Sequence, residues 1–140
     1  MDYKIILIVG LPGSGKSYYI ANNIKPGYTI VDDPRSIDEL PKKLTTNLVI
    51  ADCHLCKDTS REALNKILEI RYPKADIEYI FFENNPAQCI KNVNHRNDGR
   101  YVEPTIKNYS RIYNIPENST VLKVFDTESL KIKKSRKIKP

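Results

Sequence analysis

Residues Gly10 to Ser17, in the stretch GLPGSGKS, have the types and spacing of a phosphate-binding loop. Four residues separate two glycines, and Lys and Ser follow at once, which satisfies the Walker A pattern. Glycines let the backbone wrap closely enough for successive N–H groups to face phosphate oxygens, and the start of a helix adds partial positive charge. The spacing therefore predicts a site for a nucleoside triphosphate.

Within this loop, two side chains have distinct expected roles. Lys16 should reach the β- and γ-phosphates as a catalytic cation, and the Ser17 hydroxyl should ligate Mg²⁺. ATP or another nucleoside triphosphate and Mg²⁺ are thus the expected cofactors. The residues predicted to contact the nucleotide are Leu11, Pro12, Gly13, Ser14, Gly15, Lys16, Ser17 and Tyr18.

A pair of carboxylates follows the second apolar run, in the stretch YTIVDDPRS. Asp32 and Asp33 would stand at the carboxyl end of a strand, next to the loop after the first strand, where a γ-phosphate would point. A carboxylate there can accept the proton of an attacking hydroxyl. The alternative is a simple polar turn, because Asp and Pro favour turns.

A third carboxylate, Asp52, ends the run NLVIAD and has the position of a Walker B acid. It would hold Mg²⁺ beside Ser17, directly or through water; helix capping is the alternative. The adjacent Cys53, His54 and Cys56 lack a second pair of ligands at zinc-site spacing, so no zinc site is predicted.

Two arginines, Arg96 and Arg100, surround Gly99 in the stretch NHRNDGRYVEP. On a loop that closes over the phosphates they would neutralise charge on the transferring group and exclude water. A surface loop with two solvated arginines is the alternative.

Five short apolar runs rich in Ile, Val, Tyr and Phe alternate with helical segments. This alternation predicts a three-layer α/β sandwich with a mostly parallel five-stranded sheet, and the Walker A pattern makes it the P-loop NTPase type. Ser36 with Glu39 and Thr59 with Glu62 form possible capping boxes. Asn85 is a further predicted cap with Pro86 at the first helical position. The runs are YKIILIV, YTIV, NLVIA, IEYIFF and TVLKVF.

The length of 140 residues and the composition indicate a single domain, and the C-terminal end is unusually basic. The last ten residues hold six Lys and Arg and no acid, so residues 1–130 carry 17 basic and 17 acidic side chains. We expect a domain at 1–130 and a basic tail at 131–140, which would either attract phosphate backbones or remain a solvated end. Neither a signal peptide nor a membrane span is predicted, and three unpaired cysteines are typical of a cytoplasmic protein.

Together these motifs resemble the P-loop kinase domain of bacteriophage-type polynucleotide 5′-kinases and related small P-loop phosphotransferases. The similar stretches are IILIVGLPGSGKS, DDPR, IADCHL and NVNHRNDGRYVEPTI, which span residues 3 to about 115. The resemblance implies that Asp32 is the general base on a 5′-hydroxyl, that Arg35 contacts an acceptor phosphate, and that Arg96 and Arg100 grip donor phosphates. Only about a dozen residues separate DDPR from NLVIAD, where the family has a longer helical insertion.

The expected activity is transfer of the ATP γ-phosphate to a hydroxyl, with the 5′-OH of a polynucleotide as the leading acceptor. A nucleoside or nucleotide kinase is one alternative, favoured by the neutral body and the short acceptor region. A regulatory or nucleic-acid-processing P-loop ATPase is the other. The expected partners are a nucleoside triphosphate and a nucleic-acid 5′ end or nucleotide acceptor; the sequence leaves the oligomeric state open.

Overall fold

A computed structural model describes residues 2–96 and 101–127 of the chain. Five strands form one sheet in the order β2-β3-β1-β4-β5, and every neighbouring pair is parallel. The strands are β1 Lys4–Val9, β2 Thr29–Asp32, β3 Leu48–Ala51, β4 Asp76–Phe82 and β5 Val121–Leu122. The predicted parallel five-stranded α/β sheet is confirmed, although β5 has only two residues.

Within the described ranges, four α-helices and two short 3₁₀ helices connect the strands. The α-helices are α1 Lys16–Asn23, α2 Asp58–Arg71, α3 Pro86–Arg96 and α4 Glu103–Ile112, and the 3₁₀ helices are Ile37–Glu39 and Cys53–Cys56. No helix in the described ranges has both the length and the apolar character required to cross a bilayer.

The central strand β1 supplies both halves of the core because successive side chains of a strand point to opposite faces. Ile5, Leu7 and Val9 are fully buried in a cluster that includes side chains of α2, α3 and α4. Ile6 and Ile8 lie in a second cluster with Ile20 of α1. One face of the sheet is therefore covered by α1 and the other by the remaining helices, which makes the predicted three layers.

Two of the predicted helix starts agree with the structure. Ser36 caps the 3₁₀ helix through a complete capping box with Glu39. The Asn85 Oδ1 atom accepts a hydrogen bond from the Gln88 N–H at 3.2 Å, at the start of α3.

The capping box predicted at Thr59 is wrong. Helix α2 already begins at Asp58, and Lys57 occupies the N-cap position without a side-chain hydrogen bond. Thr59 therefore lies inside the first turn, where it cannot cap the helix.

The sheet order also alters one expectation. Strand β2 does not neighbour β1, because β3 lies between them. Asp32 ends β2 and Asp33 follows it, so these two carboxylates reach the phosphate loop across the end of β3. The predicted basic tail, 131–140, lies outside the described residues.

Candidate functional site

The loop between β1 and α1 has the strand–loop–helix context that the Walker A pattern predicts. Gly13 and Gly15 have φ angles of 82° and 105°, a region that L-residues with a Cβ rarely adopt. A Cβ at Gly13 would lie 2.6 Å from the Cys89 carbonyl oxygen, and one at Gly15 would lie 2.0 Å from the Phe125 ring. Backbone conformation and packing therefore both require glycine at these two positions.

Lys16 folds back over the loop. Its Nζ atom donates hydrogen bonds to the carbonyl oxygens of Gly10 at 2.8 Å and Leu11 at 3.1 Å, and the side chain is buried. Ser14 is also buried, and its hydroxyl has no hydrogen-bond partner among the described residues. A buried cation and an unpartnered hydroxyl in a glycine-rich loop fit the phosphates of a nucleotide.

The first residues of α1 contact the end of β2. The Ser17 hydroxyl donates a hydrogen bond to the Asp32 Oδ2 atom at 3.1 Å. A hydroxyl oxygen is a suitable ligand for Mg²⁺, so Ser17 can hold the metal of a magnesium nucleotide with the Asp32 carboxylate beside it.

A cleft of about 440 Å³ opens over this pair. It brings together many of the residues predicted from the sequence, on the loop, the carboxylate pair and the end of α3. The lining residues are Pro12, Gly13, Gly15, Lys16, Ser17, Tyr18, Asp32, Asp33, Asn92, Arg96, Val102, Phe125 and Thr127.

Four other predicted residues are not among those lining the cleft. Leu11 and Ser14 are buried beneath the loop surface. Arg35 and Asp52 line a separate cavity. A fifth residue, Arg100, lies outside the described residues.

Asp33 has a left-handed backbone conformation, with φ at 48°. Its N–H donates to the Ala51 carbonyl oxygen at 2.7 Å, which ties the turn after β2 to the end of β3. Partial desolvation raises the pKa of the Asp33 carboxyl; the Lys16 cation opposes this shift, and the charges of Asp32 and Asp52 add to it. The turn thus places the Asp33 carboxyl near Lys16 of the phosphate loop, together with the carboxylates of Asp32 and Asp52.

Asp52 makes local hydrogen bonds. Its Oδ1 atom accepts from the His54 N–H at 2.9 Å and lies 2.7 Å from His54 Nδ1. The geometry is that of a cap on the 3₁₀ helix Cys53–Cys56, the alternative that the sequence left open. A magnesium role for Asp52 stays a prediction.

Asp52, Cys53 and His54 each offer one atom that could bind a metal ion, and these three atoms lie within 4.8 Å of one another. Cys56 does not belong to this group, and its thiol is buried. Desolvation raises the pKa of Cys53, and it raises the pKa of Cys56 to about 12, so both thiols favour the protonated form. The absence of a zinc site, expected from the ligand spacing, stays a prediction.

The separate cavity has a volume of about 240 Å³ and lies between the turn after β2, the end of β3 and α2. Arg35, Asp52 and His54 are its charged or titratable residues, and Ile37, Leu64 and Ile67 belong to its apolar wall. Arg35 is thus placed only three residues from Asp32 but faces different surroundings.

Asn92 of α3 was not predicted, and it connects three parts of the site. Its Nδ2 atom donates to the carbonyl oxygens of Gly13, at 2.9 Å, and of Phe125. Its Oδ1 atom accepts from Gln88 Nε2 at 2.9 Å and from the Thr127 N–H at 3.3 Å. The side chain is buried, and a single polar residue in a helix gives no sequence signal for such a role.

Phe125 was predicted as part of the last strand, but it lies beyond β5. Its N–H donates to the Ser14 carbonyl oxygen at 3.2 Å, and its ring meets the Tyr18 ring edge-on at 4.5 Å between centroids. The segment after β5 therefore packs directly on the phosphate loop.

Comparison with known proteins finds a sequence relative, and structural neighbours that include two kinases. The uncharacterized protein R277 of Acanthamoeba polyphaga mimivirus is 35% identical over 125 residues, covering 82% of this chain and 89% of that protein. A gluconokinase from Sinorhizobium meliloti 1021 has a TM-score of 0.57 at 16% identity, covering 89% of this chain and 85% of its own. A fungal RNA kinase has a TM-score of 0.56 at 16% identity, and the match covers 88% of this chain and 74% of the RNA kinase.

No protein-family model matches the chain. The two kinases are too distant in sequence to establish more than a shared fold, which is the α/β fold of P-loop kinases. The relative is close enough, over enough of both chains, to establish common descent. The chain therefore belongs to the same protein family as the mimivirus protein R277, with a P-loop kinase fold.

Proposed function

We propose that the chain is an ATP-dependent phosphotransferase that moves the γ-phosphate to a hydroxyl, with the 5′-OH of a polynucleotide as its leading acceptor. The observation that carries this proposal is the contact between Ser17 and Asp32 at 3.1 Å, within the cleft over the phosphate loop. It brings a carboxylate of the DDPR stretch to the residue expected to hold Mg²⁺. A base and a donor phosphate would thus share one cleft.

The phosphate loop would bind the donor. Backbone N–H groups of the loop and the N-terminus of α1 would face phosphate oxygens. Lys16 would leave the carbonyl oxygens of Gly10 and Leu11 and pair with the β- and γ-phosphates. Ser17 would hold Mg²⁺, with Asp32 beside it and Asp52 as the acid suggested by the sequence; the bound metal neutralises phosphate charge.

Asp32 would act as the general base. Its carboxylate would take the proton of the acceptor hydroxyl while the new O–P bond forms and the bond to the nucleoside diphosphate breaks. Arg96, which lines the cleft, would offset charge on the transferring group, and Arg100 is proposed for the same role.

The polynucleotide acceptor is supported by the resemblance of DDPR to the polynucleotide 5′-kinase motif. Arg35 lines the cavity of about 240 Å³ beside the cleft, where a guanidinium could pair with a phosphate of the acceptor. The size of that cavity also favours the second candidate, a kinase of a single nucleoside or nucleotide. The two structural neighbours, an RNA kinase and a gluconokinase, are likewise named for a polymeric and a small acceptor.

A P-loop ATPase is the third candidate. Hydrolysis requires a group that positions water, whereas transfer to a hydroxyl requires Asp32 to face a bound acceptor. An ATPase transfers the phosphate only to water, whereas a kinase transfers it to an added hydroxyl compound, and this difference distinguishes the two activities.

The test is incubation of the protein with γ-labelled ATP, Mg²⁺ and a panel of acceptors: 5′-OH oligonucleotides of DNA and RNA, nucleosides, and nucleoside monophosphates. The Lys16→Ala variant is the control, since it should retain the circular dichroism spectrum and lose transfer. Label on an oligonucleotide 5′ end supports the leading proposal. Label only on a small acceptor supports the second candidate, and label only in inorganic phosphate supports the ATPase.

A further inference from the structure

A second concave surface, the basic groove, lies at the opposite end of the sheet from the phosphate loop. It has a volume of about 520 Å³ and is formed by Tyr3 before β1, residues 42–45 before β3, and residues 71–75 at the end of α2. All three segments lie at the amino-terminal ends of strands, whereas the phosphate loop follows the carboxyl end of β1. The groove is therefore distinct from the candidate active site.

Among the residues that the structure describes, four basic side chains and no acidic side chain line the groove. Lys42 and Lys43 belong to one wall, and Arg71 and Lys74 belong to the other. The three lysines are exposed, and within the described ranges none of them forms an ion pair. The groove thus presents uncompensated cations from two separate segments of the chain.

Arg71 is held in place by a hydrogen bond from its NH1 atom to the Ile37 carbonyl oxygen at 3.2 Å. The nearest acids in the sequence are Asp2 and Asp76, which adjoin Tyr3 and Ala75 but do not line the groove. Even with these two acids counted, basic side chains remain in excess at the groove.

This concentration of charge departs from the rest of the domain. Residues 1–130 carry equal numbers of basic and acidic side chains, 17 of each, so an even mixture would give a neutral groove. Four cations without an acid create a local positive potential that attracts polyanions.

The floor of the groove is apolar and aromatic. Tyr72 is buried, and its hydroxyl donates to the Pro41 carbonyl oxygen, while Tyr3 is only half-buried. Leu44, Pro73 and Ala75 complete the apolar lining. Basic walls beside the half-buried Tyr3 ring suit a chain of phosphates linked to flat bases, as in surfaces that bind single strands without sequence preference.

We propose that the basic groove binds single-stranded nucleic acid through phosphate contacts of Lys42, Lys43 and Lys74. This contact is separate from the candidate active site and does not require the chain to be a kinase. A strand held there lies away from the phosphate loop, so a short acceptor could react without occupying the groove.

The test compares two triple variants of the full chain that lose the same charge. Lys42→Gln/Lys43→Gln/Lys74→Gln removes the groove lysines, and Lys25→Gln/Lys66→Gln/Lys123→Gln removes three exposed lysines that do not line the groove. Binding of a fluorescent twelve-nucleotide single strand is measured by anisotropy at several salt concentrations, without ATP or Mg²⁺. Thermal melting verifies that each variant is folded.

The groove triple should flatten the slope of log affinity against log salt by about 2, since each lost phosphate contact contributes roughly 0.7 for a single strand. The control triple should retain the slope of the unmodified chain. Substitution of the same three groove lysines by Arg should also retain it, because the charge is kept.

Equal slopes in the groove triple, the control triple and the unmodified chain would overturn the proposal, as would an equal flattening in both triples. Inorganic tripolyphosphate that competes with the strand at an equal phosphate concentration would identify a free polyphosphate site instead. The Lys16→Ala variant separates this proposal from the kinase proposal, because it should lose transfer and keep groove binding.

Discussion

The Ser17 hydroxyl donates a hydrogen bond to Asp32 Oδ2 at 3.1 Å, which joins the first turn of α1 to the end of an edge strand. The two residues are 15 positions apart in the sequence, and β3 lies between β2, which ends at Asp32, and β1, which precedes the loop to Ser17. This contact fixes the distance between the expected metal ligand and the proposed base. It also makes Asp32, and not Asp33, the carboxylate that touches the phosphate loop through a hydrogen bond.

Asp32→Asn should lower turnover by about 10²- to 10⁴-fold, the usual contribution of a general base. ATP affinity should change little, because the amide oxygen can still accept from Ser17. Asp33→Asn is the matched control and should have a milder effect on turnover. Steady-state kinetics with the best acceptor of the panel measures both, and a larger loss for Asp33→Asn would make Asp33 the base.

Asp33→Asn should also stabilise the fold at neutral pH. Desolvation, with the neighbouring charges of Asp32 and Asp52, raises the pKa of this carboxyl above its ordinary 3.8 in the folded state. The folded state thus binds the proton more tightly, so stability falls as pH rises from 3.8 through the folded-state pKa and stays lower above it.

The melting temperature should therefore be higher for Asp33→Asn than for the unmodified chain at pH 7, and this advantage should shrink as the pH falls below the folded-state pKa. Asn also tolerates the left-handed backbone of this position. Asp76→Asn, at an exposed position, is the control and should show a smaller difference. A lower melting temperature for Asp33→Asn at pH 7 would show that the carboxylate stabilises the turn.

Gly15→Ala should destabilise the chain more than Gly27→Ala. Both glycines have left-handed φ angles, 105° and 100°, so each substitution carries a backbone cost of about 1–2 kcal/mol. A Cβ at Gly27 meets nothing within 4 Å, whereas one at Gly15 lies 2.0 Å from the Phe125 ring, which packs against Tyr18 and Phe82.

Urea unfolding gives the two free energies of unfolding, and binding of a fluorescent ATP analogue reports on the loop. Only Gly15→Ala should weaken nucleotide binding. Equal losses of stability in the two variants would mean that the Phe125 ring moves aside at little cost.

Asn92→Ala should destabilise the chain by about 1–3 kcal/mol, because it leaves partly buried carbonyl oxygens of Gly13 and Phe125 without their donor. Nucleotide affinity should fall as well, since the phosphate loop loses its attachment to α3. Asn94→Ala, at an exposed position two residues along the same helix, is the control and should leave both quantities nearly unchanged. Urea unfolding and nucleotide titration measure the pair, and similar results for both variants would contradict the role of Asn92.

The sequence by itself determined the local elements of this protein. The spacing from Gly10 to Ser17 predicted the phosphate loop, and the cap at Asn85 with Pro86 predicted the start of α3. Patterns of this kind succeed because a loop or a helix end is decided by residues within a few positions of one another. The capping box at Thr59 does not form although its pattern is present, since α2 begins at Asp58, one residue before Thr59.

The tertiary structure alone decided how distant segments meet. Insertion of β3 between β1 and β2, the contact of Ser17 with Asp32, and the position of Asn92 between Gly13 and Phe125 all depend on pairs far apart in the chain. The basic groove is a further case, because its two walls come from segments almost thirty residues apart. Such pairs are selected by burial and packing of the whole sheet, and no local pattern of residues encodes them.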